Sequence, residues 1–148
     1  MRNVKALSPF EILFAVDKGV AYYNTKSQER KVIVREPDSR FILTTYDANN
    51  DLICMGSYDG KIFLYSIAKE KYVHKAFEIA KPAFEGQIVN CIKFLDQYNL
   101  ITSCNDSTVK LWDLEIMKPK MNLKFKDPIN IAELSPDGNL LGVYGDCL

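Results

Sequence analysis

Apolar and polar positions alternate along most of this chain in short runs. Val, Ile, Phe, Tyr and Thr fill the runs. Gly, Asp, Asn or Pro interrupts them about every 8 to 12 residues, the rhythm of an all-β sandwich, barrel or propeller. No window carries an apolar stripe at i, i+3, i+4 and i+7 through several helical turns. Ser66 to Ala76 comes nearest. It reads equally as two strand ends around the charged turn Lys69-Glu70-Lys71, and the strand reading is taken.

Internal similarity narrows the class, since a fixed period marks repeat architectures. Asp51 to Ile67 and Asn99 to Leu114 share one plan: an apolar strand, a small polar turn holding Asp59 or Asp106, and a second strand. Each second strand reaches an aromatic residue, Tyr65 or Trp112, six positions after that Asp. A weaker copy runs from Ile12 through Asp17 to Tyr23, again six apart. A fourth acid, Asp146, follows the apolar run Leu140 to Tyr144. The period of 40 to 47 residues between these acids, together with Asp106-x-x-Val109-x-Leu111-Trp112-Asp113-Leu114, resembles the WD40 β-propeller family.

The resemblance implies an all-β chain of WD40-like blades, each of four antiparallel strands. Blades are expected over 2–35, 41–80 and 82–126, with a half-blade over 129–148 whose strands join through Ser135-Pro136-Asp137-Gly138. Val89 to Phe94 reads as an inner strand. The repeat signature falls on Thr102, Asp106, Trp112 and Asp113 in the third blade, Asp59 and Tyr65 in the second, and Asp17 and Tyr23 in the first. The family's Asp–His–Ser/Thr–Trp network carries over only to Asp106, Thr102 and Trp112. The lone histidine, His74, does not precede an inner strand, and Ala83-Phe84-Glu85-Gly86 stands where the Gly-His dipeptide belongs. Three and a half blades do not close a ring of four to eight, so the expectation is an incomplete propeller within a larger unit. A half-blade exposing Ile131, Leu141 and Val143 would leave the isolated chain prone to association.

Composition alters this picture little. Nineteen basic residues balance nineteen acidic ones among 148, so no global field draws the chain to nucleic acid or anionic lipid. The run Ile12 to Val16 is too short for a signal-peptide core or a membrane span. Cys54, Cys91, Cys104 and Cys147 are widely spaced, as for ordinary thiols in a cytoplasmic or nuclear protein.

Candidate chemistry is sparse. A nucleophile needs a base within hydrogen-bond reach, and one His in the context Lys71-Tyr72-Val73-His74-Lys75 argues against a triad. Gly56-Ser57-Tyr58-Asp59-Gly60-Lys61 lacks the glycine spacing of a phosphate loop, and β-rich sequence follows it where a helix should open. Neither a catalytic site, a metal site nor a cofactor is expected. The one basic cluster, Lys118, Lys120, Lys124 and Lys126, reads better as a lysine-guarded outer edge strand than as a phosphate-contacting strip. Phe14, Phe63, Tyr65, Phe94 and Trp112 alternate along strands and are expected to pack between blades. Tyr58, Asn105 and Tyr144 stand beside the turn acids, at a blade end suited to anchoring a peptide. The family resemblance implies a non-catalytic scaffold or adaptor for a protein or peptide, including substrate recruitment in a complex such as a ubiquitin ligase. Nucleic-acid association through Lys118–Lys126, and a propeller enzyme, are the weaker alternatives.

Overall fold

The computed structural model describes residues 4–36, 42–49, 51–78 and 87–145, without the side chains of 74–78. Fourteen strands and no helix form within them. The first sheet contains β1 (Val4–Ser8), β2 (Glu11–Val16), β3 (Gly19–Asn24) and β4 (Arg30–Arg35). The second contains β5 (Leu43–Ala48), β6 (Leu52–Ser57), β7 (Lys61–Ser66) and β8 (Lys71–Glu78). The third contains β9 (Val89–Phe94), β10 (Asn99–Cys104), β11 (Thr108–Asp113) and β12 (Lys118–Lys124). A last pair contains β13 (Ile129–Leu134) and β14 (Leu141–Gly145). Within each sheet the strands pair in chain order and antiparallel, as the alternating pattern predicts. Ser66 ends β7 and Lys71 opens β8, so the charged segment between them is a turn.

The sheets stack face to face through their apolar positions, and three separate cores result. Leu13, Val20 and Val34 of the first sheet meet Tyr46, Met55, Phe63 and Tyr65 of the second. Cys54, Ile62 and Leu64 of the second meet Val89, Ile92, Leu100 and Trp112 of the third. Ile101 and Val109 of the third meet Ile129 and Ala132 of the last pair. The innermost strands β5, β9 and β13 lie side by side, so the sheets fan like propeller blades. Within the described residues the fan does not close into a ring.

Three inner strands bulge at equivalent positions, Thr44, Asn90 and Asn130. A bulge re-aims the side chain of its extra residue, and two of these side chains reach the next blade. The Thr44 hydroxyl donates to the Val89 carbonyl at 2.5 Å. The Asn90 amide donates to the Ile129 carbonyl at 3.0 Å.

Two expectations need correction. Phe14 belongs to none of the inter-blade cores; it faces outward, half-buried, with the Arg30 guanidinium 5.7 Å from its ring centre. Leu141 packs against the third core, whereas Ile131 and Val143 are exposed as expected. Asp146, Cys147 and Ala83 to Gly86 lie outside the described residues, as does the side chain of His74, whose backbone pairs with Leu64 within β8.

Candidate functional site

The β6–β7 and β10–β11 turns are built alike because their polar residues fold back onto their own backbone. Gly60 (φ 79°) and Ser107 (φ 64°) take the left-handed position, which glycine occupies without strain and other residues less readily. In the second blade the Ser57 hydroxyl donates to Asp59 and accepts from the Lys61 N–H at 3.0 Å, while the Lys61 ammonium sits on the other Asp59 oxygen. Burial raises the Asp59 pKa, but the ammonium and hydroxyl outweigh it and hold the carboxyl below its ordinary value. In the third blade Asp106 accepts from the Thr108 N–H at 3.0 Å and hydroxyl at 2.5 Å. The first blade turns in two residues, Asp17 and Lys18, with Lys18 left-handed (φ 58°).

The signature residues thus divide. Trp112 is buried, and its indole N–H donates to the Thr102 hydroxyl at 2.9 Å. Asp106 turns to Thr108, so the three residues form two separate units. Asp113 caps the next turn, accepting from the Glu115 and Ile116 N–H groups. A hydrogen bond from Lys120, 3.0 Å away, depresses its pKa. Tyr65, the positional equivalent of Trp112, is buried in the first core, with the Tyr72 ring edge-on at 5.4 Å. Tyr23, their counterpart in the first blade, is half-buried and outside the cores.

Of the three candidate contact residues, Tyr58 and Asn105 occupy the same turn position in successive blades. Tyr58 is 49% exposed, its N–H held by the Ile42 carbonyl at 3.0 Å. Asn105 is half-buried and accepts from the Asn90 amide at 2.7 Å. Tyr144 is exposed but lies within β14 opposite Ile131, one position short of the strand end. It is therefore not equivalent to the other two. Of the lysine cluster, Lys118, Lys120 and Lys124 lie on β12, the edge strand of its sheet, and Lys126 lies just beyond. Lys120 bonds to Asp113 and Asn99, and the Lys124 ammonium donates to the Asp106 carbonyl. Two of the four charges are already held by the blade.

Two arrangements had no mark in the sequence. Asp47 is buried on β5 and joins three blades: it pairs with Lys5 of β1 at 2.8 Å and accepts from the Phe94 N–H of β9 at 2.8 Å. At the opposite end of the blades from Tyr58, a groove of about 660 Å³ opens between the second and third sheets. Its walls come from the β5–β6 and β9–β10 turns and the segment after β11. Only packing of separate blades brings these residues together, so no spacing along the chain announces them. Among the described residues, no three His, Cys, Asp or Glu side chains converge to hold a metal ion, and no helix is long and apolar enough to cross a membrane.

Residues 81–113 match the family model described as WD domain, G-beta repeat. The chain is 24% identical over 106 residues to Restriction of telomere capping protein 1 of Clavispora lusitaniae, covering 68% of this chain and 9% of that protein. It is 26% identical over 110 residues to Protein SPA1-RELATED 3 of Arabidopsis thaliana, covering 74% and 11%. It superposes on a chain of the crystal structure of a mitotic checkpoint complex with a TM-score of 0.74 at 12% identity, covering 90% of this chain and 41% of that one. The chain therefore has the WD40 β-propeller fold, and its third blade carries a recognisable WD40 repeat. It spans about a tenth of the length of these curated relatives.

Proposed function

We propose that this chain is a non-catalytic scaffold or adaptor that presents blade-end loops to a protein or peptide partner within a multiprotein complex, in the cytoplasm or nucleus. Substrate recruitment of the ubiquitin-ligase kind fits this reading. The observation that carries it is Tyr58, half-exposed on a turn whose Ser57, Asp59 and Lys61 side chains are locked to one another. An aromatic anchor on a rigid turn loses little conformational entropy on binding. Asp106, in the turn at the same end of the third blade, is engaged in the blade's own hydrogen bonds, as is Thr102 within β10.

A photo-crosslinking residue at position 58 or 105 of the full chain, in cells, tests the reading. Discrete protein adducts from these positions, and none from position 118 on β12, are expected. Adducts absent from both turn positions, or equal at position 118, would refute it.

A further inference from the structure

The groove between the second and third blades is apolar at its floor and acidic at its rim. Leu64 is buried at its base and Leu52 and Leu114 are half-buried, while Val73 and Tyr98 are 39% and 47% exposed beside them. Asp51, Asp96 and Glu115 contribute carboxylates from three different turns, and no lysine or arginine lines the groove among the described residues. Two of these acids are fixed in place. Asp51 accepts from the Ser66 hydroxyl at 3.1 Å and the Ala68 N–H at 3.0 Å. Asp96 accepts from the Tyr98 and Asn99 N–H groups at 2.7 and 2.8 Å. Lys120, the cation that reaches Asp96 electrostatically, is itself bonded to Asp113 and Asn99.

We propose that this groove is a docking site for an extended basic peptide of a partner protein, with one aliphatic side chain on the floor and flanking lysines or arginines at the rim. The inference rests on the scaffold reading and adds to it a second site, at the other end of the blades, with a defined ligand chemistry. A carboxylate held rigid by backbone N–H groups meets a cation without the reorganisation that a mobile one needs. Two such charges, Asp51 and Asp96, together with Glu115 from a third turn, match cations spaced along a chain. The apolar floor between them selects what stands between those cations. Charge matching of this kind sets specificity and rate of encounter, and the buried apolar contact sets residence time.

The test uses the full chain and two labelled nine-residue peptides, one with a central leucine flanked by lysines, the other with glutamates in place of the lysines. Fluorescence anisotropy at low salt should show the lysine peptide binding at least about tenfold more tightly than the glutamate peptide, with the difference shrinking as salt rises. Glu115→Lys should weaken the lysine peptide and strengthen the glutamate peptide. Tyr98→Ser should weaken binding of the lysine peptide, and circular dichroism should show both variants folded. Replacing the peptide's leucine by asparagine should also weaken it. Equal affinity for the two peptides, indifference to Glu115→Lys, or indifference to the central leucine would overturn the proposal. So would self-association of the chain abolished by Glu115→Lys, which would assign the groove to a second copy. Crosslinks retained at position 58 alongside any of these failures would sink the groove and leave the scaffold reading standing.

Discussion

Trp112 combines two interactions that no smaller side chain can. Its ring fills the core between the second and third blades, and its indole N–H meets the Thr102 hydroxyl. Trp112→Ala should therefore destabilise the chain by about 3–5 kcal/mol in urea unfolding, the usual span for removing a buried aromatic. Tyr23→Ala removes a ring of equivalent register that belongs to no inter-blade core, and should cost clearly less. Equal losses at the two sites would remove the basis for treating them as unequal members of one repeat. At this scale the sequence marked Trp112 and Thr102 as neighbours through the family pattern. Asp106 accepts from the Thr108 N–H, the local turn role that Asp commonly takes between strands, and the Thr108 hydroxyl is the one partner that the spacing did not mark.

The strands were legible because side chains alternate across a sheet with a period of two, and that period is written directly in the residues. The bulges were not, since an extra residue at Thr44 or Asn90 looks like any other polar residue inside a strand. The contacts between elements were hidden for a related reason: Asp47 and Lys5, or Asp51 and Glu115, acquire meaning only when blades stack. Gly56 on β6 shows how close that stacking is. A Cβ there would stand 2.6 Å from the Val89 Cγ1 and 2.8 Å from its Cβ, and Val89 is a β-branched residue with little rotamer freedom. Gly56→Ala should cost about 1–3 kcal/mol by overpacking. At Gly142 on β14 the added atom would meet only the Glu133 carbonyl, at 3.7 Å, so Gly142→Ala should be close to neutral. A neutral Gly56→Ala in thermal melts would contradict the close approach of β6 and β9.

Across the whole molecule the blades are joined by a few buried polar groups, and one of them reports on pH. The Tyr46 hydroxyl donates to the Leu13 carbonyl of the neighbouring blade at 2.8 Å. Burial, with the nearby Asp47 charge, pushes its pKa up to about 12 against the opposing pull of the Lys5 backbone. A raised folded-state value means the neutral phenol is favoured by folding. Its stabilisation is complete below the ordinary tyrosine value of about 10 and disappears as pH climbs through the folded value. The stability gap between the native chain and Tyr46→Phe should therefore hold from neutral pH to about 10 and then narrow. A gap that widens with alkali would reverse the sign of this coupling. A second joint has a different consequence. Lys5, Asp47, Lys93 and Glu133 all pair with the third residue before the end of the adjoining strand in their sheets. Four successive inner strands thus alternate cation, anion, cation, anion at one level, with Lys5 bonded to Asp47 and Lys93 3.7 Å from Glu133. The blades are consequently not interchangeable tiles. A shuffled chain with the third blade repeated would set two lysines side by side where opposite charges now meet, so this level acts as a key that fixes the order in which the units can be strung.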